Sequence, residues 1–540
     1  MSIDDCDVLI VGAGPVGLLL ALMLRPKGVN VKIVERQRAL YPLPRAVAFD
    51  HESRRLFGSL GLTEELNPIL EDIMGEGGEN GTNYVWRDAD LKLIVDLFFE
   101  APTRSGFPLS MGFNQPELEQ LLDKTAIQRN IPIMRGYTVS ALDQHADSVD
   151  VLLEPVTCKQ GTTIEERDSP IATKGGEAPH TRRVRASYVV GCDGANSTVR
   201  RLQNFSMTNL DFENDWLVAD ILLRDGYVPP EVRKVGAAQI CDPKRPTSCV
   251  WGGIGRKRFE FMRLPGESKE SLLQDDTMWG LLAPWGFTKD NCDLERKVIY
   301  TFRARWVDNF VKGRVTLAGD ALHQMPPFMG QGLNSGFRDA AALAWRLPLI
   351  LSGVANADAV LRSYQEERLD HVSRLTVDCV QLGSVVCETD PIKARQMHEA
   401  LRKNPPPGFY DPPLGRPGIL TAQPEAGHLS LQRELKTGDG QHLFDEVHGY
   451  GWMLLNLGDT SAMSQMSDVS CRFFGDVLGG KCVSISPSED TEGEYRDWFD
   501  THMGLDHVVL IRPDFYVFGH AAVTEVDGLV EDLRRKLSGL

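Results

Sequence analysis

Asp7-Val8-Leu9-Ile10-Val11-Gly12-Ala13-Gly14-Pro15-Val16-Gly17 is the stretch on which the fold turns. Its first half is a short aliphatic run that reads as a buried strand, cut off by glycine. Val16 to Leu24 has helical character and Gly28 stops it; Val29 to Val34 is a second strand, ending on Glu35. Strand, turn, helix and strand make a βαβ opening. The glycines of Gly12-x-Gly14-x-x-Gly17 serve different ends. The first allows the tight turn, the second lets backbone approach a pyrophosphate, and the third lets helix and strand pack closely. The helix start offers free N–H groups and a partial positive charge to that phosphate. Glu35 stands near the spacing expected for an acid that binds ribose hydroxyls, and its carboxylate would repel a 2′-phosphate. Gly12, Ala13, Gly14, Pro15, Val16, Gly17 and Glu35 are therefore the predicted dinucleotide residues. The turn by itself does not separate FAD from NAD.

Outward from this turn, the 540-residue chain is long enough for two or three domains. Its 58 basic and 75 acidic side chains leave a net charge of −17, which argues against a general binder of nucleic acid or anionic membrane. The acidic N-terminus lacks the basic and apolar regions of a secretory signal, and the apolar run Val16 to Leu24 is too short to span a bilayer. A cytoplasmic protein is the expectation. No two of the ten cysteines are spaced Cys-x-x-Cys, so reduced, mostly buried thiols are expected and no metal site is predicted.

Two later segments sharpen the cofactor. Gly191-Cys192-Asp193-Gly194-Ala195-Asn196-Ser197-Thr198-Val199-Arg200 follows a strand, and Gly319-Asp320-Ala321-Leu322-His323-Gln324-Met325-Pro326-Pro327-Phe328-Met329-Gly330-Gln331-Gly332-Leu333-Asn334 precedes a helix from Ser335 to Arg346. With these in place the chain resembles the class A flavoprotein aromatic hydroxylases, which include p-hydroxybenzoate and phenol hydroxylases and, most similar, the 3-(3-hydroxyphenyl)propionate hydroxylase group. The resemblance covers residues 5 to about 385. It implies FAD as cofactor, NADH or NADPH as a transient reductant, and O2. It implies that Asp320 accepts ribityl hydroxyls, that Gly330, Gly332, Leu333 and Asn334 face the flavin ring, that Arg45 lies on a flavin-touching loop, and that Gln115, Arg36 and Val139 complete the cofactor set. Pro327 lies near the site where a C4a-hydroperoxide forms in relatives, and Arg258 matches an arginine that helps flavin swing. Asp193 is expected to shape its loop, and His323 to be a structural histidine. The acid that follows the Arg-Ala pair in the phenol hydroxylase branch is Val47 here, so the substrate base is unidentified. His51 reads as an exposed helix-start residue.

The expected fold class is α/β: a Rossmann-like FAD domain of the p-hydroxybenzoate hydroxylase type (1–77, 113–205, 300–385), an inserted antiparallel β substrate domain (78–112, 206–299), a linker (386–415) and a C-terminal domain (416–540). Strand-like stretches near Trp86 to Leu97, Trp216 to Leu223 and Arg258 to Leu264 are placed in the substrate sheet. The polar stretch Thr157 to Arg185 reads as an exposed hairpin excursion, Tyr364 to Thr376 as a charged amphipathic helix. Gly415 to Gly418 and His507 to Asp514 resemble the thioredoxin-like tail of these hydroxylases; lacking Cys-x-x-Cys, that tail is expected to serve packing or formation of a homodimer. The expected activity is an FAD-dependent monooxygenase that hydroxylates a small phenolic or polyketide-like aromatic. The alternative is other flavin chemistry on the same fold: a reductase, an epoxidase or a Baeyer–Villiger enzyme.

Overall fold

The computed structural model describes residues 3–71, 84–96, 103–156, 180–235, 237–406, 412–458 and 462–540. Most of the hairpin excursion expected at Thr157 to Arg185 lies outside the described residues. By Arg182 the chain is already in a strand.

The opening unit forms as its sequence requires. Strand Ile3–Val11 pairs in parallel with Val31–Glu35 on one side and Arg182–Gly191 on the other. The second strand starts two residues later than expected, at Val31. Arg182–Gly191 pairs in parallel with Val315–Leu317, and Val31–Glu35 with Ile133–Arg135. Helix Pro15–Leu24 buries almost every side chain, the pattern of a helix enclosed on all sides. Strands from four distant parts of the chain thus end along one edge. Val11 lies beside Gly191 and Gly191 beside Leu317. The three glycine-containing signatures open at or within two residues of these strand ends, and ligands bind at such carboxyl edges of parallel sheets.

A second sheet has the strand order 323–324, 292–307, 207–223, 256–262, 247–251, 237–241, 84–88, 93–96. All the neighbours are antiparallel except 84–88 and 237–241. The three stretches assigned to a substrate sheet contribute its strands 84–88 and 93–96, 207–223, and 256–262. One face buries Leu217, Phe259 and Phe261 in an apolar cluster with Leu272, Met278 and Leu282. The other face is polar at its centre.

Helix Gln331–Leu351 packs on the opening unit. A side chain at Gly336 would meet Val16 at 2.6 Å, so glycine is what lets the two elements touch. The expected helix at Tyr364 to Thr376 is the middle of a longer one, Ala357–Val386. Helix Pro391–Lys403 lies within the stretch 386–415 and ends where Asn404-Pro405-Pro406 begins.

The C-terminal sheet has the order 481–485, 453–457, 507–511, 517–522. The first pair is parallel and the other two antiparallel. Helix Val526–Ser538 buries Val526, Leu529, Val530, Leu533 and Leu537, an i, i+3, i+4 stripe. Its residues belong to the same apolar cluster as Leu9 and Leu343. A buried ionic cluster ties this part to the long helices. Arg512 donates to both oxygens of Glu367, each at 2.9 Å, and to Asp514 at 2.6 and 3.0 Å. Arg346 donates to Glu367 at 2.6 Å and Trp345 to Asp514 at 2.8 Å. Nine cysteines lie among the described residues, none in a disulfide, and five are buried.

Candidate active site

At the nucleotide end, Gly12 has φ +111° and its absent side chain would sit 2.4 Å from the Cys192 carbonyl oxygen. Gly14 is the opposite case: a Cβ there meets nothing within 4 Å. No side chain caps helix Pro15–Leu24. The first-turn N–H groups therefore face open space, the cradle a pyrophosphate fills. The Glu35 carboxylate is fixed by the Ala13 N–H at 2.8 Å and the Gln37 N–H at 2.7 Å. Arg36 beside it is exposed. Val139 is buried in the core, so only its backbone is available to a ligand.

Asp320 follows the third strand end. It is exposed to solvent, yet the surrounding protein raises its carboxyl above the usual range, against the pull of His323 and Arg45. An accessible acid so enclosed lies on the floor of a groove. The residues fit FAD: an open amide cradle, a fixed acid at Glu35, and an acceptor in a groove. Replacing Asp320 with alanine is expected to weaken FAD binding about 10–100-fold, the worth of hydrogen bonds to a charged group, with chain stability retained. Fluorescence titration of apoprotein with FAD measures this.

The other two signatures support this edge. Asp193 accepts from Ser197 Oγ and from the Thr198 and Val199 N–H groups at 2.5, 2.6 and 3.1 Å, so its side chain is committed to shaping the loop. His323 is buried and hydrogen-bonded to Asp339 at 3.0 Å; Asp339 also accepts from Arg368 at 2.7 Å and from the Gly319 N–H at 2.9 Å. That is a structural network beneath Asp320.

The flavin end is a cavity of about 250 Å³ between the polar sheet face and the turn Pro327–Asn334. Of the predicted residues, Arg45, Arg258, Pro327, Gly330, Gly332, Leu333 and Asn334 line it. Gly330 has φ +64° and precedes the first helical residue, Gln331, so the helix starts four residues earlier than expected. Its N-terminus gives the cavity the positive end of a 21-residue helix dipole. The Asn334 side chain accepts from Ser53 at 2.8 Å and donates to the Gly330 carbonyl at 2.8 Å, which clamps the turn to helix His51–Gly58. Arg338 reinforces the clamp by ion pairs to Asp50 and Glu52.

Gln115 is buried and accepts from the Ala46 N–H at 2.7 Å while donating to Glu119 at 2.6 Å, so its amide holds the Arg45-Ala46 loop. The Arg45 guanidinium stacks over Tyr41, 4.2 Å from the ring centre. Arg258 donates to Asp220 at 2.6 Å and to the Arg45 carbonyl; Arg296 donates to the Pro44 carbonyl. The sheet and the loop are thus fastened by two buried arginines. His51 starts its helix as expected but is buried, because it lines the cavity wall.

Sequence reasoning missed Tyr84, Gln239, Ser248 and Glu260, which also line the cavity. Pairing across the sheet puts Gln239 beside Ser248 and Ser248 beside Glu260. The alternation Arg258, Glu260 between Phe259 and Phe261 was the one local sign that a charged face meets a site.

This edge-on dinucleotide cradle with a cavity beyond it is the arrangement of an FAD-binding enzyme. Residues 5–378 match the family described as FAD binding domain, and 427–536 that described as HcaD C-terminal domain. The chain belongs to this FAD-binding family. It is 35% identical to a probable NADH-specific resorcinol 4-hydroxylase of Rhodococcus jostii (98% of this chain, 94% of that protein). It is 32% identical to a 3-(3-hydroxy-phenyl)propionate/3-hydroxycinnamic acid hydroxylase of Mycobacterium avium (95% and 89%). The fold is also that of aklavinone-11 hydroxylase solved with FAD and aklavinone, with a TM-score of 0.75 at 20% identity, covering 99% of this chain and 100% of that one. No helix among the described residues is long and apolar enough to cross a membrane.

Proposed function

We propose that the protein hydroxylates a small, single-ring phenol, using FAD, NADH and O2. The observation that carries this reading is the cavity. It sets a polar sheet face, with Tyr84, Gln239, Ser248 and Glu260, opposite the Pro327–Asn334 turn. The relatives named for resorcinol and hydroxyphenylpropionate support a phenolic substrate, and the first supports NADH. Bound FAD supplies the redox chemistry, taking a hydride from the nicotinamide and passing one oxygen atom of O2 to the ring. The chain's own part is positional. Arg258 and Arg296 hold the Arg45 loop, Asn334 and Arg338 hold the helix start, and apolar side chains such as Val47, Val250 and Met329 exclude water.

The same reading divides the chain into an FAD-binding part (1–77, 113–205, 300–385), an inserted substrate part (78–112, 206–299), a linker (386–415) and a C-terminal part (416–540), with strand Cys292–Val307 running across the boundary at 299/300 and helix Pro391–Lys403 inside the linker. A Rossmann-like first part is supported by its parallel strand edge. A thioredoxin-like tail is supported by the order of its four strands, one of which runs against the other three. Holoenzyme given NADH, O2 and a panel of phenols is expected to oxidise NADH faster with accepted phenols and to release products heavier by one oxygen atom. NADH consumption without any oxygenated phenol would overturn the hydroxylase reading in favour of other flavin chemistry.

A further inference from the structure

The strand Arg256–Met262 puts two charged side chains on the cavity face, Arg258 and Glu260, and only the first is committed elsewhere. Glu260 forms no hydrogen bond among the described residues, and its one ion-pair contact is Arg258 at 3.9 Å. Its neighbours across the sheet are prepared for a hydroxyl. Gln239 donates to Tyr84 Oη at 2.6 Å and to Ser248 Oγ at 3.0 Å, while Tyr84 Oη donates to the Phe328 carbonyl at 3.1 Å. The other amide atom, Gln239 Oε1, is buried with no partner among the described residues. Ser248 Oγ accepts in this chain and keeps its own proton to donate. The row therefore offers an incoming hydroxyl the Ser248 donor and the Glu260 carboxylate, with the unpartnered Gln239 amide oxygen behind them.

We infer that Glu260 is the proton acceptor for the substrate phenol, with Ser248 and Gln239 positioning the hydroxyl; this rests on the hydroxylase reading above. The phenol O–H bond breaks and an Oε–H bond forms on Glu260. The electron pair left on oxygen enriches the ring carbons ortho and para to it, where the oxygen atom from O2 arrives. The ring carbon then loses its hydrogen as a proton and Glu260 returns its own to the product oxygen. Phenol, O2, NADH and a proton give diphenol, NAD⁺ and water.

The charged surroundings suit the role. Burial pushes the Glu260 carboxyl up to about 7, against Arg258 and Arg296 and with Asp220 adding to the rise. Tyr84 is itself pushed up by burial and stays neutral. A base near the working pH is the efficient one. His51 on the cavity wall is another side chain there that could accept a proton.

The test is hydroxylation kcat/KM with holoenzyme between about pH 5.5 and 9. The wild type is expected to show a rising limb near pH 7. E260Q is expected to lose that limb and to fall on the order of 100-fold for a phenol of ordinary acidity. It should recover most of the loss with a nitro-substituted phenol that ionises unaided. E260D, which keeps the carboxylate, is expected to keep the limb at a lower rate, and flavin content and visible spectrum check that each variant is folded. H51N is expected to keep the limb. An unchanged limb and rate in E260Q, an equal loss with both phenols, or loss of the limb in H51N would each overturn the inference while the hydroxylase reading stands. A wild type that hydroxylates no phenol overturns both.

Discussion

Replacing Arg512 with alanine is expected to destabilise the protein by about 3–5 kcal/mol, the cost of leaving buried partners uncompensated. Arg512 is fully buried and serves two acids, Glu367 on the long helix and Asp514 two residues on. Without it, Glu367 keeps Arg346 but loses two hydrogen bonds, and Asp514 keeps only the Trp345 N–H at 2.8 Å and a 4.0 Å contact to Arg346. The pull of Arg512 holds the Asp514 carboxyl below its usual range despite burial, so the variant also acquires an acid that prefers its proton. Stability of R512A is expected to recover partly as pH falls, because a neutral Asp514 no longer needs a cation. Urea unfolding followed by tryptophan fluorescence reports the change, since Trp345 and Trp452 meet at this contact with ring centres 5.3 Å apart. Arg534, in an exposed pair with Glu531, is the control, and its replacement is expected to leave the midpoint unmoved. An equal response at both positions would remove the cluster from its structural role.

The second large effect separates two neighbouring glycines of the motif, Gly12 and Gly14. G12A is expected to lose both FAD and stability. Its methyl would lie 2.4 Å from the Cys192 carbonyl oxygen and 2.7 Å from the carbonyl carbon, backbone atoms pinned in the strand edge, and φ +111° is a conformation L-residues rarely adopt. G14A is expected to lose FAD alone. Its backbone, at φ −75° and ψ 178°, suits any residue, and its methyl meets no protein atom within 4 Å. What the methyl occupies is the place kept for the pyrophosphate. FAD absorbance per protein together with apoprotein melting decides it: G14A should match the wild-type apoprotein in melting yet purify without flavin. Retention of flavin by G14A would remove the helix start from the cofactor site.

The nucleotide half of the site was legible because its signals are local. Gly12, Gly14 and Gly17 sit within six residues, and Asp193 and Asp320 each follow their own strand. The folding geometry that unites them, three parallel strand ends side by side, needs only the usual handedness of βαβ units. The substrate half was not legible, for a physical reason. Alternation in Arg258-Phe259-Glu260-Phe261 tells that two faces differ but not which strand lies alongside. Glu260 comes into line with Gln239 only because 247–251 pairs with 256–262 on one side and with 237–241 on the other. His51 was read as exposed because a helix start is usually wet; here the cavity wall covers it. Arg512, in a segment the resemblance had already marked, gave no hint of Glu367, its partner 145 residues earlier.

That separation has a consequence for how the protein is made. When Glu367 is added to the growing chain, Arg512 is still 145 residues from synthesis. At about 5–20 residues per second the wait is on the order of 10–30 s. Through that interval Arg346 is the one cation of the cluster available to Glu367, and the apolar side chains that will receive Val530 and Leu533 stay uncovered. The nascent flavin-binding half therefore carries an uncovered apolar surface until helix Val526–Ser538 is made.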